Sequence, residues 1–172
     1  MSIEKYQSEN NRLWGLKYNG VIIEPKFDEV WILDDNIAKV LKQDKYGLFN
    51  ADDKSKMKNS TCVSCCYDNI GVLEEGFIAV CENGKWGFVN KKFNPIIQAK
   101  YEYVNCFSNG LAAVYDGKFW GYIDYNGDEV IPLIYKYVGN FDDEGYAEAT
   151  KGDGSSVIID KNSIKKTINS EK

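Results

Sequence analysis

The chain has 172 residues, 44% of them apolar and 27% charged, with 15 glycines, 3 prolines, 12 tyrosines, no histidine and a formal charge of −5. That apolar content offsets the entropy of ordering one continuous core, which excludes disorder, and the composition is neither collagen-like nor that of a coiled coil. The net charge, with a sequence pI near 4.9, excludes the positive footprint that nucleic acid or an anionic membrane surface requires, so a charged partner is expected to be a basic protein.

Met1 to Asn10 lacks the apolar core of a secretion signal, and no later stretch is long enough to cross a bilayer, so a cytoplasmic protein is expected. Ile3 to Tyr6 reads as a strand ahead of Arg12-Leu13-Trp14-Gly15. The aromatic-Gly pair then recurs as Tyr46-Gly47, Trp86-Gly87 and Trp120-Gly121, at intervals of 32, 40 and 34 residues by subtraction of the aromatic positions. In the first copy the pair is followed by a turn dipeptide, Asn19-Gly20, and an apolar strand, Val21 to Phe27. The second copy carries a polar insertion, Lys54 to Ser60, which accounts for the long middle interval.

The third and fourth copies align throughout, Gly76 to Phe88 against Gly110 to Tyr122. Asn83-Gly84 and Asp116-Gly117 are dipeptides that tolerate the positive φ of a type I′ turn, and apolar alternation on either side predicts a hairpin in each copy. A second turn, Asn126-Gly127, and a third strand, Val130 to Tyr135, complete the fourth copy, so each unit reads as a short antiparallel meander. From about Ser155 a partial copy follows, in which Ile158 to Asn162 matches Tyr122 to Asn126 and the aromatic-Gly pair has decayed to Ser156-Val157. Degenerate terminal units cap stacked arrays. No segment has a helical period. The expected fold is all-β, about five tandem meanders forming one repeat domain over residues 1–172, either an open twisted array or a propeller-like ring.

With these residues laid out, the chain resembles the bacterial WG-repeat family, whose unit reads aromatic-Gly, two apolar residues, Asn-Gly, Val-Ile-Pro, basic-Tyr, and a later Gly-Leu-Ala-x-Val. The fourth copy, Trp120 to Pro132 with Tyr135 and Gly145 to Ala149, matches nearly position for position. The second departs, with Tyr46 for Trp and Cys62 to Tyr67 in place of Val-Ile-Pro. The resemblance runs from Arg12 to Asp160 and implies a β-rich scaffold used for interaction. It implies no catalytic residues.

Several constellations invite a site. Cys62, Cys65 and Cys66 offer a Cys-x-x-Cys half-site for zinc, but the repeat aligns Cys62 with Ile96 and Val130, Cys81 with Tyr115 and Cys106 with Asn140, ordinary strand positions where a thiol packs as a small hydrophobe. No metal or other cofactor is expected, and five cysteines, an odd number, fit free thiols in a reducing compartment. Without histidine, Ser-His and Cys-His nucleophiles are excluded, no phosphate loop is present, and Gly152-Asp153-Gly154 reads as a turn, so no enzyme is expected. Trp14, Tyr46, Trp86 and Trp120 are expected to stack on the next unit, with the adjacent glycine admitting a neighbouring strand; alternatively they line a carbohydrate- or peptide-binding face.

Carboxylates form the remaining pattern. One column occupies equivalent corners at Asp34-Asp35, Glu74-Glu75, Ser108-Asn109 and Asp142-Asp143-Glu144, and a second comprises Asp28-Glu29, Asp68 and Glu102. Stacking would merge them into a negative ridge able to steer a basic partner, unless they only solvate turn corners. The functional expectation is a non-enzymatic interaction module, in its sharper form an immunity protein neutralising a basic toxin such as a nuclease.

Overall fold

Turn chemistry divides this chain into short strands, and the computed structural model, which describes residues 2–52 and 65–161, arranges them in five antiparallel sheets. The first holds β1 (Glu4–Gln7), β2 (Trp14–Tyr18) and β3 (Val21–Phe27); the second β4 (Glu29–Asp34), β5 (Ile37–Lys42) and β6 (Lys45–Asn50). The third holds β7 (Asn69–Glu74), β8 (Phe77–Glu82), β9 (Lys85–Asn90) and β10 (Pro95–Tyr101). In the fourth are β11 (Tyr103–Val104), β12 (Ala112–Tyr115), β13 (Trp120–Ile123) and β14 (Glu129–Tyr135), and in the fifth β15 (Tyr137–Val138), β16 (Tyr146–Thr150) and β17 (Ser156–Asp160). The all-β meander architecture is therefore as expected. The insertion Lys54 to Ser60, and Cys62, lie outside the described residues.

The hairpin dipeptides behave differently in two aligned copies. Asn83 and Gly84 both take positive φ, 52° and 75°, between the paired Glu82 and Lys85, as a type I′ turn requires. Asp116-Gly117 does not form that turn, because it stands one residue closer to the chain start relative to its Trp-Gly pair. A two-residue turn there would pair Tyr115 with Lys118 and Ala113 with Trp120, a slip of two residues that keeps the faces but moves the aromatic-Gly pair off its place opposite Tyr115 and Val114. The register Tyr115↔Trp120 is kept instead, and the loop is closed by the Asp116 carboxylate accepting the amides of Lys118 and Phe119, both at 2.7 Å.

The aromatic-Gly glycine has a steric cause. Trp14 pairs with Phe27 and Leu16 with Ile23, so four positions of β3 span two of β2 and the strand bulges across Gly15. The same bulge faces Gly87 and Gly121. A Cβ on Gly15 or Gly121 would lie 2.5 Å from the carbonyl oxygen of Ile23 or Ile131. The close approach expected from the sequence is thus made by backbone.

Four apolar clusters join the five sheets in series: Ile3, Leu16, Val30, Val40 and Phe49 between the first and second; Ile37, Leu48, Ile70 and Val80 between the second and third. Phe88, Ile97, Phe107 and Val114 join the third to the fourth, and Tyr122, Ile131, Phe141, Ala149 and Ile159 the fourth to the fifth. Among the described residues no cluster joins the fifth sheet to the first.

Candidate functional site

Antiparallel order separates the turns into two ends. The β4–β5, β7–β8, β11–β12 and β15–β16 turns share the upper end with the β2–β3, β9–β10 and β13–β14 turns; the β5–β6, β8–β9, β12–β13 and β16–β17 turns share the lower end. A six-residue strand is about 17 Å long, so the two carboxylate columns do not merge into one ridge. Asp34, Asp35, Glu74, Glu75, Asp142, Asp143 and Glu144 are upper; Asp28, Asp68 and Glu102 are lower.

The lower carboxylates are built into the scaffold. Asp28 accepts the Gln43 amide at 2.8 Å and Asp68 the Gly84 amide at 2.9 Å, each closing the hairpin turn of its own sheet. Asp68 is also ion-paired with Lys45 and Glu102 with Lys85, each pair bridging one sheet to the next. The Lys45 ammonium, then the Gly84 amide, holds the Asp68 carboxyl below the usual carboxylate range.

The upper column is mixed. Lys91 donates to Asp34 at 2.6 Å and, with the Asp35 amide, depresses its pKa. Glu75 accepts the Gly110 amide at 3.0 Å and the Tyr125 hydroxyl at 2.9 Å, tying the third sheet to the fourth. Asp142 accepts the amides of Glu144 and Tyr146 within its own turn. Asp35, Glu74, Asp143 and Glu144 are exposed and make no salt bridge among the described residues.

Charge is therefore segregated by end. Sequence reading missed that the β13–β14 and β6 turns add Asp52, Asp124 and Asp128 to the upper end, against Lys91, Lys92 and Lys161. At the lower end Asp44, Glu82, Asp116 and Asp153 stand among Lys42, Lys45, Lys85, Lys118, Lys136 and Lys151. The signal was available, because the phase of a meander assigns each turn to an end.

The repeated aromatics are half-buried, and each packs on the cluster shared with the following sheet: Trp14, Tyr46, Trp86 and Trp120 in order. Their ring contacts lie within their own sheet, Tyr46 with Trp31 at 6.0 Å and Trp120 with Tyr115 at 5.1 Å. Lys5 and Lys39 occupy equivalent positions, each donating to a carbonyl of the next sheet, Val30 or Ile70, at 3.0 Å while lying over Trp14 or Tyr46. Cys81 is buried in β8 opposite Trp86, Cys65 packs against the first cluster, and burial raises the pKa of both thiols. Cys66 is exposed. No helix among the described residues is long and apolar enough to cross a membrane.

Comparison with known proteins bears on the scaffold. No curated protein matches the sequence. Among solved structures, KlHsv2 with loop 6CD replaced by a Gly-Ser linker is similar at 13% identity and a TM-score of 0.47, over 86% of this chain and 56% of that one. Hsv2 of Kluyveromyces marxianus follows at 12% identity and a TM-score of 0.45, over 87% and 56%. The chain thus spans little more than half the length of either. The model of the family described as WG containing repeat matches residues 19–46, 63–86, 86–118 and 120–154. Those four segments take in well over half of the residues and carry three of the four repeated aromatics, Tyr46, Trp86 and Trp120: the chain belongs to the WG containing repeat family.

Proposed function

We propose that the protein is a non-enzymatic interaction module that binds a basic protein partner through its upper end. The observation that carries this reading is the charge segregation: Asp35, Glu74, Asp143 and Glu144 are exposed and make no salt bridge among the described residues, at the upper ends of three sheets, while at the lower end Asp28 and Asp68 close turns, Asp68 and Glu102 bridge sheets, and the exposed acids stand among lysines. Solvated like charges on a rigid edge raise the association rate of a cationic partner and make it salt-dependent. In its sharper form the partner is a basic toxin, such as a nuclease, and the protein is its immunity protein. The reading is tested by capture of partners from the native lysate at low salt, comparing the wild type with a D35N/E74Q/D143N/E144Q variant. Selective loss of basic proteins in the variant supports it; an unchanged partner set overturns it.

A further inference from the structure

We propose that an aromatic row crossing the fourth sheet is a docking strip for a proline-rich segment of a partner protein that carries a basic residue beside its prolines. Tyr103, Tyr115, Trp120 and Tyr135 are successive cross-strand partners on β11, β12, β13 and β14, so four rings stand on one face, at the lower edge of the joint where Trp120 and Tyr135 also pack on the cluster shared with the fifth sheet. Tyr103 and Tyr115 are 6.4 Å apart by ring centroid and Tyr115 and Trp120 5.1 Å. Tyr103 is 62% exposed and the others are half-buried. The equivalent row of the third sheet reads Asn69, Cys81, Trp86, Tyr101. The scaffold therefore uses the last two aromatics, and Tyr103 and Tyr115 are additions of the fourth sheet.

The geometry selects the occupant. Strands lie about 4.8 Å apart, so alternate rings of the row recur at about 9.6 Å. A polyproline II segment repeats every three residues, about 9.3 Å, so prolines three apart meet alternate rings, and its preformed backbone docks on aromatics with little ordering cost. The rim supplies direction. Glu102 and Asp116 follow the line of the strip beside Tyr103 and Tyr115, Glu102 ion-paired with Lys85 and Asp116 bound to its loop amides, whereas Lys118 and Lys136 flank Trp120 and Tyr135. A cationic residue of the segment is complementary to the Tyr103 half, and the same carboxylates oppose a nucleic-acid strand stacking its bases there.

The experiment is an anisotropy titration of the full chain with a labelled ten-residue peptide holding two prolines three residues apart and an arginine at one end. Saturable binding is expected, weakened about tenfold or more when the prolines become alanine or in Tyr103→Ala, and retained in Tyr103→Phe. Asp116→Asn should weaken binding less and flatten its salt dependence. The D35N/E74Q/D143N/E144Q variant should bind the peptide like the wild type, which keeps this strip distinct from the upper end. No binding at millimolar peptide, equal binding by Tyr103→Ala, or preference for a glucan oligosaccharide or an oligothymidylate over the peptide overturns the proposal.

Discussion

Gly121 and Gly84 separate two reasons for a glycine. At Gly121 a Cβ would meet the carbonyl of Ile131, backbone that cannot step aside, whereas at Gly84 nothing lies within 4 Å and only φ, +75°, is at issue. Gly121→Ala should therefore cost about 3 kcal/mol and Gly84→Ala about 1 kcal/mol, as urea unfolding midpoints at constant m would show. Titration has a defined sign as well. Asp34, Asp68, Asp116 and Asp153 all have folded pKa values below their ordinary 3.8, through Lys91, Lys45, the Phe119 amide and Ser155 respectively. Their contribution is complete above 3.8 and is lost as pH falls through the depressed values. With no histidine in the chain, the Tm should be flat from pH 5 to 8 and fall below about pH 4. Asp68→Asn should lower the Tm at pH 7, and its curve should converge with the wild type in acid.

At the scale of elements, the hairpins were legible because Asn-Gly dipeptides and period-2 alternation are local signals. The strands β4, β7, β11 and β15 were not: β11 and β15 are two residues each, and they are ordered by pairing with the following hairpin, through Glu102 N–Tyr115 O and Lys136 N–Thr150 O at 2.8 Å. β11 and β15 exist only through those contacts, whereas β4 and β7 are joined to the next strand by two-residue turns, Asp34↔Ile37 and Glu74↔Phe77, a local signal that the focus on aromatic-Gly strands passed over. The candidate carboxylates were found for the same local reason, as corner residues, but their division between two ends depends on those unseen strands, since each adds one reversal of direction. Joints between sheets are equally nonlocal. Glu75 is exposed and unremarkable in sequence, yet it bonds Gly110 and Tyr125 fifty residues on in the latter case. Glu75→Ala should loosen the third joint by about 1 kcal/mol, with faster hydrogen exchange at Gly110 than at the β8–β9 ladder.

For the whole molecule, the outward faces of the first and last sheets differ from the corresponding faces inside the array. Glu4, Tyr6 and Lys17 of the first sheet stand where the second has Ala38, Val40 and Phe49, with Lys17 over the Tyr6 ring at 4.6 Å. In the fifth sheet Glu148 and Ser156 replace Lys39 and the clamping aromatic Tyr46. The first sheet thus carries the more polar outer face that a terminal unit of stacked repeats requires, whereas the same face of the fifth exposes Ile158 and Tyr146 beside Glu148 and Ser156. Restoring an interior-like face with E4A/K17F should produce concentration-dependent self-association by light scattering, whereas the wild type should not associate through that face.

Charge placement is the claim on which the functional account turns, and two variants of equal charge change test it directly. D35N/E74Q/D143N removes exposed carboxylates from the upper end and E29Q/D44N/E82Q removes exposed ones from the lower end. Measured side by side at low salt, the association rate with the captured basic partner should fall severalfold for the upper variant and stay near wild type for the lower one. Equal losses would show that net charge alone attracts the partner, and an unaffected upper variant would place the binding surface elsewhere on the array.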